Sequence, residues 1–583
     1  MALVRVTIDG VAGEVDAGTT VLKAAEKLAI HIPTLCYLEG IHEVGACRVC
    51  VVEVKGAKTL QAACVTPVAD GMTVRTNTPA VRKARKTVVE LILSNHPAEC
   101  PTCVRNTNCE LQSLAESFNI RDNRFAGERG DYPVDSTAKG IVRDPNKCIL
   151  CRRCVSVCEK VQAVKAIGPL NRGFDTVIAP AFGEPMGDSI CVNCGQCVLV
   201  CPVGALYEQD HSQRVWAALA DPSKHVVIQT APATRVALGE TQGMEPGSIV
   251  TGKMVAGLRR LGFDKVMDTD FTADLTIIEE GHELIERLTK GGVLPLITSC
   301  SPGWIKFIEH FYPELLPNVS TCKSPQQMFG ALVKTYYAEK AGIDPADIFS
   351  VSMMPCTAKK FECDRPEMRA SGHQDVDVVL TTREVGRMLR EAGIVLETLP
   401  EEEHDAPMGS STGAAVIFGA TGGVMEAALR TAYEVVTGKT LPNLNFTAVR
   451  GLDGVKEAEV DLDGTKVRVA VAHALGNAKK VLDTVKAGQG GWHFIEIMCC
   501  PGGCLGGGGQ PIPTNTDIRR KRMEAIYTAD ERAAIRKSHE NPGIKAIYEE
   551  FLGKPLGRRS HELLHTLYTP RGRYGAPKSR AAD

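Results

Sequence analysis

At 583 residues the chain is long enough for several hydrophobic cores, and length alone predicts a modular protein of roughly four domains. Lys and Arg number 67 against 69 Asp and Glu, a formal charge of -2, so no basic surplus points to nucleic acid or an anionic membrane as a partner. The opening MALVRVTIDGVAGEV alternates like a strand and lacks a basic region followed by an apolar core. No uncharged apolar run of about 18 residues occurs, so no transmembrane segment is predicted and the expected compartment is the cytoplasm. In a reducing compartment 22 cysteines favour metal ligation over disulfides, and their spacing decides the matter.

Cys36, Cys47 and Cys50 lie in CYLEGIHEVGACRVC, and Cys64 follows. Three thiolates close together and one from a distance can hold a small iron-sulfur rhomb, with zinc as the alternative. The alternating segments VRVTIDG, VVEVKGAK and MTVRTN around the helix-like VLKAAEKLA predict a compact mixed sheet. Residues 1–78 resemble a plant-type 2Fe-2S ferredoxin, a β-grasp fold, in the spacing of respiratory and hydrogenase electron-input subunits.

Over 79–137, HPAECPTCVRNTNC offers His96, Cys100, Cys103 and Cys109, a set that on its own favours zinc. Redox ligands flank it on both sides, and an electron needs a continuous path, which reverses the preference. The stretch resembles the 4Fe-4S module, ligated by one histidine and three cysteines, of iron-only hydrogenases and of the large iron-sulfur subunit of respiratory complex I.

Over 138–209, CILCRRCVSVC and CVNCGQCVLVCP both read C-x2-C-x2-C-x3-C, which specifies two 4Fe-4S cubanes in a bacterial ferredoxin domain. The fourth cysteine of each run is expected to cross over. Cys148, Cys151, Cys154 and Cys201 then hold one cubane, and Cys191, Cys194, Cys197 and Cys158 the other. Several clusters in series read as wiring, so the catalytic question moves downstream.

After a charged link near Glu208 to Arg214, residues 220–568 alternate short apolar runs with amphipathic helices, predicting a two-lobed α/β domain with a cleft. Three probable strands, LPLITSC, FSVSMMPC and HFIEIMCC, run directly into Cys300, Cys356 and the Cys499–Cys500 pair. Ligands gather beyond the carboxyl ends of strands in open α/β sheets, so these ends are expected to converge on one buried metal site. The glycines after Cys500 would bring backbone close to a bulky inorganic group. Cys500 and Cys504 would grip the same cluster.

TSCSPGW, MPCTAKKFE and EIMCCPGGCLGGGGQP resemble the three signature motifs of iron-only (FeFe) hydrogenases, and the resemblance extends over essentially the whole chain. It matches the catalytic subunit of multimeric NAD(P)-linked hydrogenases of anaerobic bacteria. It implies reversible interconversion of H2 with protons and electrons at an H-cluster, a 4Fe-4S cubane joined through a cysteine sulfur to a two-iron unit bearing CO, cyanide and an amine-containing dithiolate. One 2Fe-2S and three accessory 4Fe-4S clusters would serve it. Cys356, Cys500 and Cys504 are the implied cubane ligands, with Cys504 bridging to the two-iron unit. Lys359 is expected to hydrogen-bond a cyanide, and Met354 and Met498 to line the pocket.

The common first motif is TSCCP, whose earlier cysteine passes protons and whose later one is the fourth cubane ligand. Here the later position is Ser301 and Cys300 falls on the relay position. The fourth ligand is therefore open among Cys300, Ser301 and the additional Cys322 in STCKSPQQ. Cys499 reads as a spectator thiol and Cys363 as structural.

Glu280, Glu283 and Arg287 recur at helical spacing and can share a face. The resemblance makes Glu280, Glu283 and Ser320 a proton relay with Arg287 at its outer end. It places Ala231 and Pro232 near the two-iron unit, and Pro325 and Gln326 beside the cleft.

GATGG at Gly419 to Gly423 lacks the G-x-G-x-x-G pattern, so no nicotinamide site is expected on this chain. FMN and NAD(P) would sit on a flavin-containing iron-sulfur partner, beside a small thioredoxin-like 2Fe-2S subunit, with ferredoxin as a further electron partner. The other classes consistent with parts of the sequence are an electron-transfer subunit of complex I or formate dehydrogenase, and an H2 sensor. Residues 569–583 lack apolar periodicity and are expected to be mobile.

Overall fold

The computed structural model describes residues 2–125, 127–462 and 464–573. Near the amino terminus five strands form a mixed sheet in the order Val11–Asp16, Leu3–Ile8, Met72–Arg75, Val51–Val54, Gln61–Ala62. Leu3–Ile8 and Met72–Arg75 run parallel. Alternation puts Val6, Ile8, Val52 and Val74 into one core, which also takes in Cys50 and Cys64. The following helix, Pro79–Ser94, starts on a Thr78 cap with proline in its first turn. Arg85 ties it to the sheet by donating to the Val51 carbonyl.

The two cysteine runs are closed into one unit by the antiparallel pairing of Ile141–Arg143 with Leu206–Glu208. Between the runs a small hairpin, Gly168–Leu170 with Val177–Ala179, absorbs the extra chain.

The α/β region contains two sheets. The first is wholly parallel, in the order Lys265–Asp268, His225–Thr230, Ile348–Met354, Val378–Thr381. The second runs Leu296–Ile297, Phe494–Met498, Thr465–His473 in parallel and ends in the antiparallel Val455–Leu462. Strands covered on both faces are buried along their length, as Phe494–Met498 is with all five residues buried and only Glu496 polar. Met354 and Met498 are the last residues of their strands, so the carboxyl ends of both sheets meet at the cleft.

The GATGG turn has an internal use. Gly422 takes a φ of 89°, and the N–H groups of Gly422 and Met425 donate to the buried Glu496 carboxylate at 2.6 and 2.7 Å. A carboxylate of the chain itself thus occupies the amino end of the Gly423–Thr437 helix, where a phosphate could otherwise bind.

The two-run unit is clamped to the α/β region. Glu208 accepts from Arg383 and Arg387 at 2.7 Å each, Gln196 Nε2 donates to the Gly506 carbonyl at 2.8 Å, and Thr357 Oγ1 donates to the Asn193 carbonyl at 2.6 Å. The mobile tail expected from residue 569 does not begin there: Arg571 pairs with the buried Glu309, and His310 Nδ1 meets the Gly572 carbonyl. Residues 574–583 lie outside the described residues. Among the described residues no helix is long and apolar enough to cross a membrane.

Candidate metal centres

The four ligand sets of the first 201 residues each gather in space. Cys47 N–H donates to Cys36 Sγ, and Cys50 Sγ lies beside Cys64 Sγ, both at 3.4 Å. The Cys47 thiol, with its N–H as a lesser contributor, holds the Cys36 thiol below its usual range. His96, Cys100, Cys103 and Cys109 line one small cavity, and the buried His96 Nδ1 has no hydrogen-bond partner. An orphaned ring nitrogen facing three thiols fits a metal ligand. A Cβ on Gly204 would come within 2.6 Å of Cys103 Sγ, so glycine keeps that cavity open.

Cys148, Cys151 and Cys154 share a cavity with Cys201, and Cys191, Cys194 and Cys197 share one with Cys158. The structure thus brings the fourth cysteine of each run to the other run's site. The duplicated runs fold alike: two and four residues after the first cysteine the backbone turns left-handed, at Leu150 and Arg152 in one and at Asn193 and Gly195 in the other. Each turn aims an N–H at the first sulfur, Leu150 at Cys148 (3.4 Å) and Asn193 at Cys191 (3.5 Å). Such bonds favour a negatively charged sulfur.

The cleft between the two sheets holds a cavity of about 80 Å³. Cys300, Cys356, Cys499, Cys500 and Cys504 all line it, from the three strand ends singled out in the sequence. Ala231, Pro232, Ser301, Pro325, Gln326, Met354 and Met498 line it too, with Thr269, Ala273 and Phe418 completing an apolar wall. Burial pushes the Cys504 thiol up to about 12, with the neighbouring Cys500 adding to it, and raises Cys356 for the same two reasons. Clustered thiols resist ionisation in such a place unless a cation supplies the opposite charge, which suits them to an iron centre.

Lys359 Nζ enters the same wall and donates to the Cys300 carbonyl at 3.2 Å and to Glu362 at 2.9 Å. Glu362 also accepts from Ser324 Oγ at 2.9 Å and Gln326 Nε2 at 3.1 Å. Sequence reasoning missed Glu362, although its i,i+3 spacing from Lys359 on one helix was available as a signal.

The glycine run has a use beyond the expected approach to the metal site. A Cβ on Gly507 would sit 2.0 Å from the Pro355 carbonyl oxygen, and one on Gly508 would sit 2.3 Å from that of Cys194. Gly503 and Gly507 line the cavity, but the run chiefly lets protein loops close on one another.

Cys322 corrects a second expectation. It is absent from the cavity wall and fully buried among Phe271, Leu275 and Met328. Ser299 Oγ donates to its carbonyl and its N–H donates to Ser320 Oγ, which fixes the backbone so that the thiol faces Glu283 and His565 instead.

Along the Asp270–Lys290 helix, burial pushes the Glu280 carboxyl up to about 8; the Ser320 hydroxyl draws it back and Glu283 adds to the rise. Ser320 Oγ donates to Glu283 at 3.0 Å, and Arg287 donates to Glu283 at 2.6 Å. The Cys300 thiol is pushed up by burial and then by the charge of Glu280.

The profile described as "Iron only hydrogenase large subunit, C-terminal domain" matches residues 224–508, and "Iron hydrogenase small subunit" matches 516–571. A 2Fe-2S cluster binding domain matches 1–79, the NADH-ubiquinone oxidoreductase-G iron-sulfur binding region 85–124, and a 4Fe-4S dicluster domain 147–205. The chain is 52% identical to the NADP-reducing hydrogenase subunit HndD of Solidesulfovibrio fructosivorans, over 98% of this chain and 100% of that one. The chain belongs to the iron-only (FeFe) hydrogenase family.

This hydrogenase is also 42% identical to iron hydrogenase 1 of Clostridium pasteurianum, over 97% of its own length and 99% of the relative's. An apo variant of the FeFe-hydrogenase HydA1 of Chlamydomonas reinhardtii aligns with it at a TM-score of 0.56 and 49% identity, covering 62% of this chain and all of that one. The iron-sulfur profiles cover the regions where the accessory ligand sets gather, and the hydrogenase profile covers the strand-end thiols Cys300, Cys356, Cys499, Cys500 and Cys504. The hydrogenase accordingly carries iron-sulfur clusters and an H-cluster.

Proposed function

We propose that this chain interconverts H2 with protons and electrons at an H-cluster held by Cys356, Cys500 and Cys504. One 2Fe-2S and three accessory 4Fe-4S clusters conduct electrons to a flavin- and NAD(P)-binding partner in the cytoplasm. The observation that carries this reading is the meeting of three strand-end thiol motifs around one enclosed cavity with Lys359 in its wall. Similarity to a hydrogenase subunit named as NADP-reducing supports the nicotinamide link. When bound, the two-iron unit supplies the redox chemistry at the H–H bond.

The chain's own residues supply enclosure, a cation and a proton path. Met354, Met498, Pro232 and Phe418 exclude water, and Lys359, oriented by Glu362, presents an ammonium to the ligands of the two-iron unit. Cys300, Glu280, Ser320 and Glu283 form the relay, with Arg287 at the outer end. Glu280 carries a proton near neutral pH because its site is dry, which suits a group that must both give and take one.

The wiring has two inputs. Arg153 faces both Cys36 and Cys151, and Arg105 faces both Cys109 and Cys201. These arginines support a reading in which the 2Fe-2S set and the histidine-bearing set both neighbour the cubane that Cys148, Cys151, Cys154 and Cys201 would hold. Infrared spectra of the anaerobically purified, fully matured protein under H2 test the proposal. Carbonyl and cyanide bands that respond to H2 are expected, and their absence after complete maturation overturns it.

A further inference from the structure

A cubane held by thiolates takes four of them, and Cys356, Cys500 and Cys504 provide three. Cys322 faces the other way. Cys300 has Glu280 as its first charged neighbour, ahead of Lys359 and Cys504, whereas Cys500 comes first for Cys356. Giving Cys300 to the cubane would take the thiol out of the proton path.

Cys499 is a further cysteine in the same wall. It lines the cavity, is only 4% exposed, and its sulfur lies within hydrogen-bonding reach of Cys194 and Cys500. Its N–H donates to Ser301 Oγ at 3.2 Å. The residue standing where the common family pattern has its fourth cysteine is therefore in direct contact with a cysteine that pattern does not call for. A Cβ on the neighbouring Gly303 would come within 2.7 Å of Cys499 Sγ, so the helix carrying Ser301 leaves room for this sulfur. Ser301, engaged by the Cys499 backbone, is left in a structural role.

We propose that Cys499 supplies the fourth thiolate of the catalytic cubane, the ligand having moved across the Ser301–Cys499 contact from one wall of the cavity to the other. The proposal rests on the hydrogenase reading and adds to it a ligand set of Cys356, Cys499, Cys500 and Cys504. Cys300 then stays free for proton transfer. The adjacent pair Cys499 and Cys500 grips the cluster between the second sheet and the two-run unit, since Cys194 lines both cavities.

The test uses the full-length chain produced without maturation proteins, which assembles cubanes and lacks the two-iron unit. Iron and sulfide are counted and the clusters followed by Mössbauer and electron paramagnetic resonance spectroscopy. Cys499→Ala is expected to lose about four irons per chain, one cubane's worth, and the double variant Ser301→Cys/Cys499→Ala to regain them by restoring the common family arrangement. If Cys499→Ala fails to fold, the double variant alone decides, because it must both fold and hold the cluster. A Cys499→Ala chain with unchanged iron and spectra, or a double variant that does not recover the cubane, overturns the assignment. A wild-type chain that binds no cubane in this cavity would instead overturn the hydrogenase reading itself.

Discussion

Glu280 is the single side chain whose environment says most about function. Its carboxyl is raised to about 8 chiefly by burial, so the folded state binds a proton that the unfolded chain has already released above the ordinary carboxylate range. The charged form is disfavoured in the fold, and this destabilisation grows as pH rises from that range to about 8. Glu280→Gln is therefore expected to melt higher than wild type at pH 8 and no differently near pH 4, as scanning calorimetry would show. The same substitution should lower H2 evolution by roughly 10²- to 10⁴-fold, the usual weight of a general acid-base group, with iron content unchanged. In the wild type, H2 evolution should decline as pH passes upward through about 8. The family resemblance picked out the carboxylates of the proposed relay, and their helical spacing says only that they can share a face; the dryness that gives Glu280 its pKa is a property of packing between the Asp270–Lys290 helix, Ser299 and Ser320. No local pattern encodes it. Cys322 shows the converse: proximity in sequence to the first motif suggested a ligand, and two hydroxyl contacts to its backbone turn the thiol elsewhere.

At the level of elements, the parts most legible in the sequence were strands that end in cysteine. A largely apolar run of five to seven residues that stops at or just before a thiol reports a buried strand and what stands at its carboxyl end, and one strand of each sheet follows that rule. The glycine run was harder to read, because glycine says that something approaches closely without saying what. Here the approaching groups are the carbonyls of Pro355 and Cys194. Gly507→Ala should force the loop off Pro355, cost about 1–3 kcal/mol as overpacking does, and lower the iron bound in the cleft, measured by chemical denaturation and metal analysis. Gly281, mid-helix with open space where a Cβ would go, provides the contrast. Gly281→Ala should stabilise by up to about 1 kcal/mol through helix propensity.

For the whole molecule, the cysteine spacings specified ligand sets but not how those sets dock. That information lies in contacts far apart in sequence, such as Glu208 with Arg383 and Arg387 or Gln196 with Gly506. Glu208→Ala leaves two guanidinium groups without their shared carboxylate, a loss of about 3–5 kcal/mol for a buried pair. Thermal unfolding should then separate into two transitions, with the two-run unit releasing from the α/β region first. Cys194 stands in the wall of the last accessory cavity and of the catalytic one, so an electron passing between them crosses no solvent. Dissolved ions screen charge over about 8 Å at physiological strength, yet they have no access to that step. Ionic strength is therefore expected to govern how a redox partner meets the outside of the molecule and to leave the final electronic step untouched.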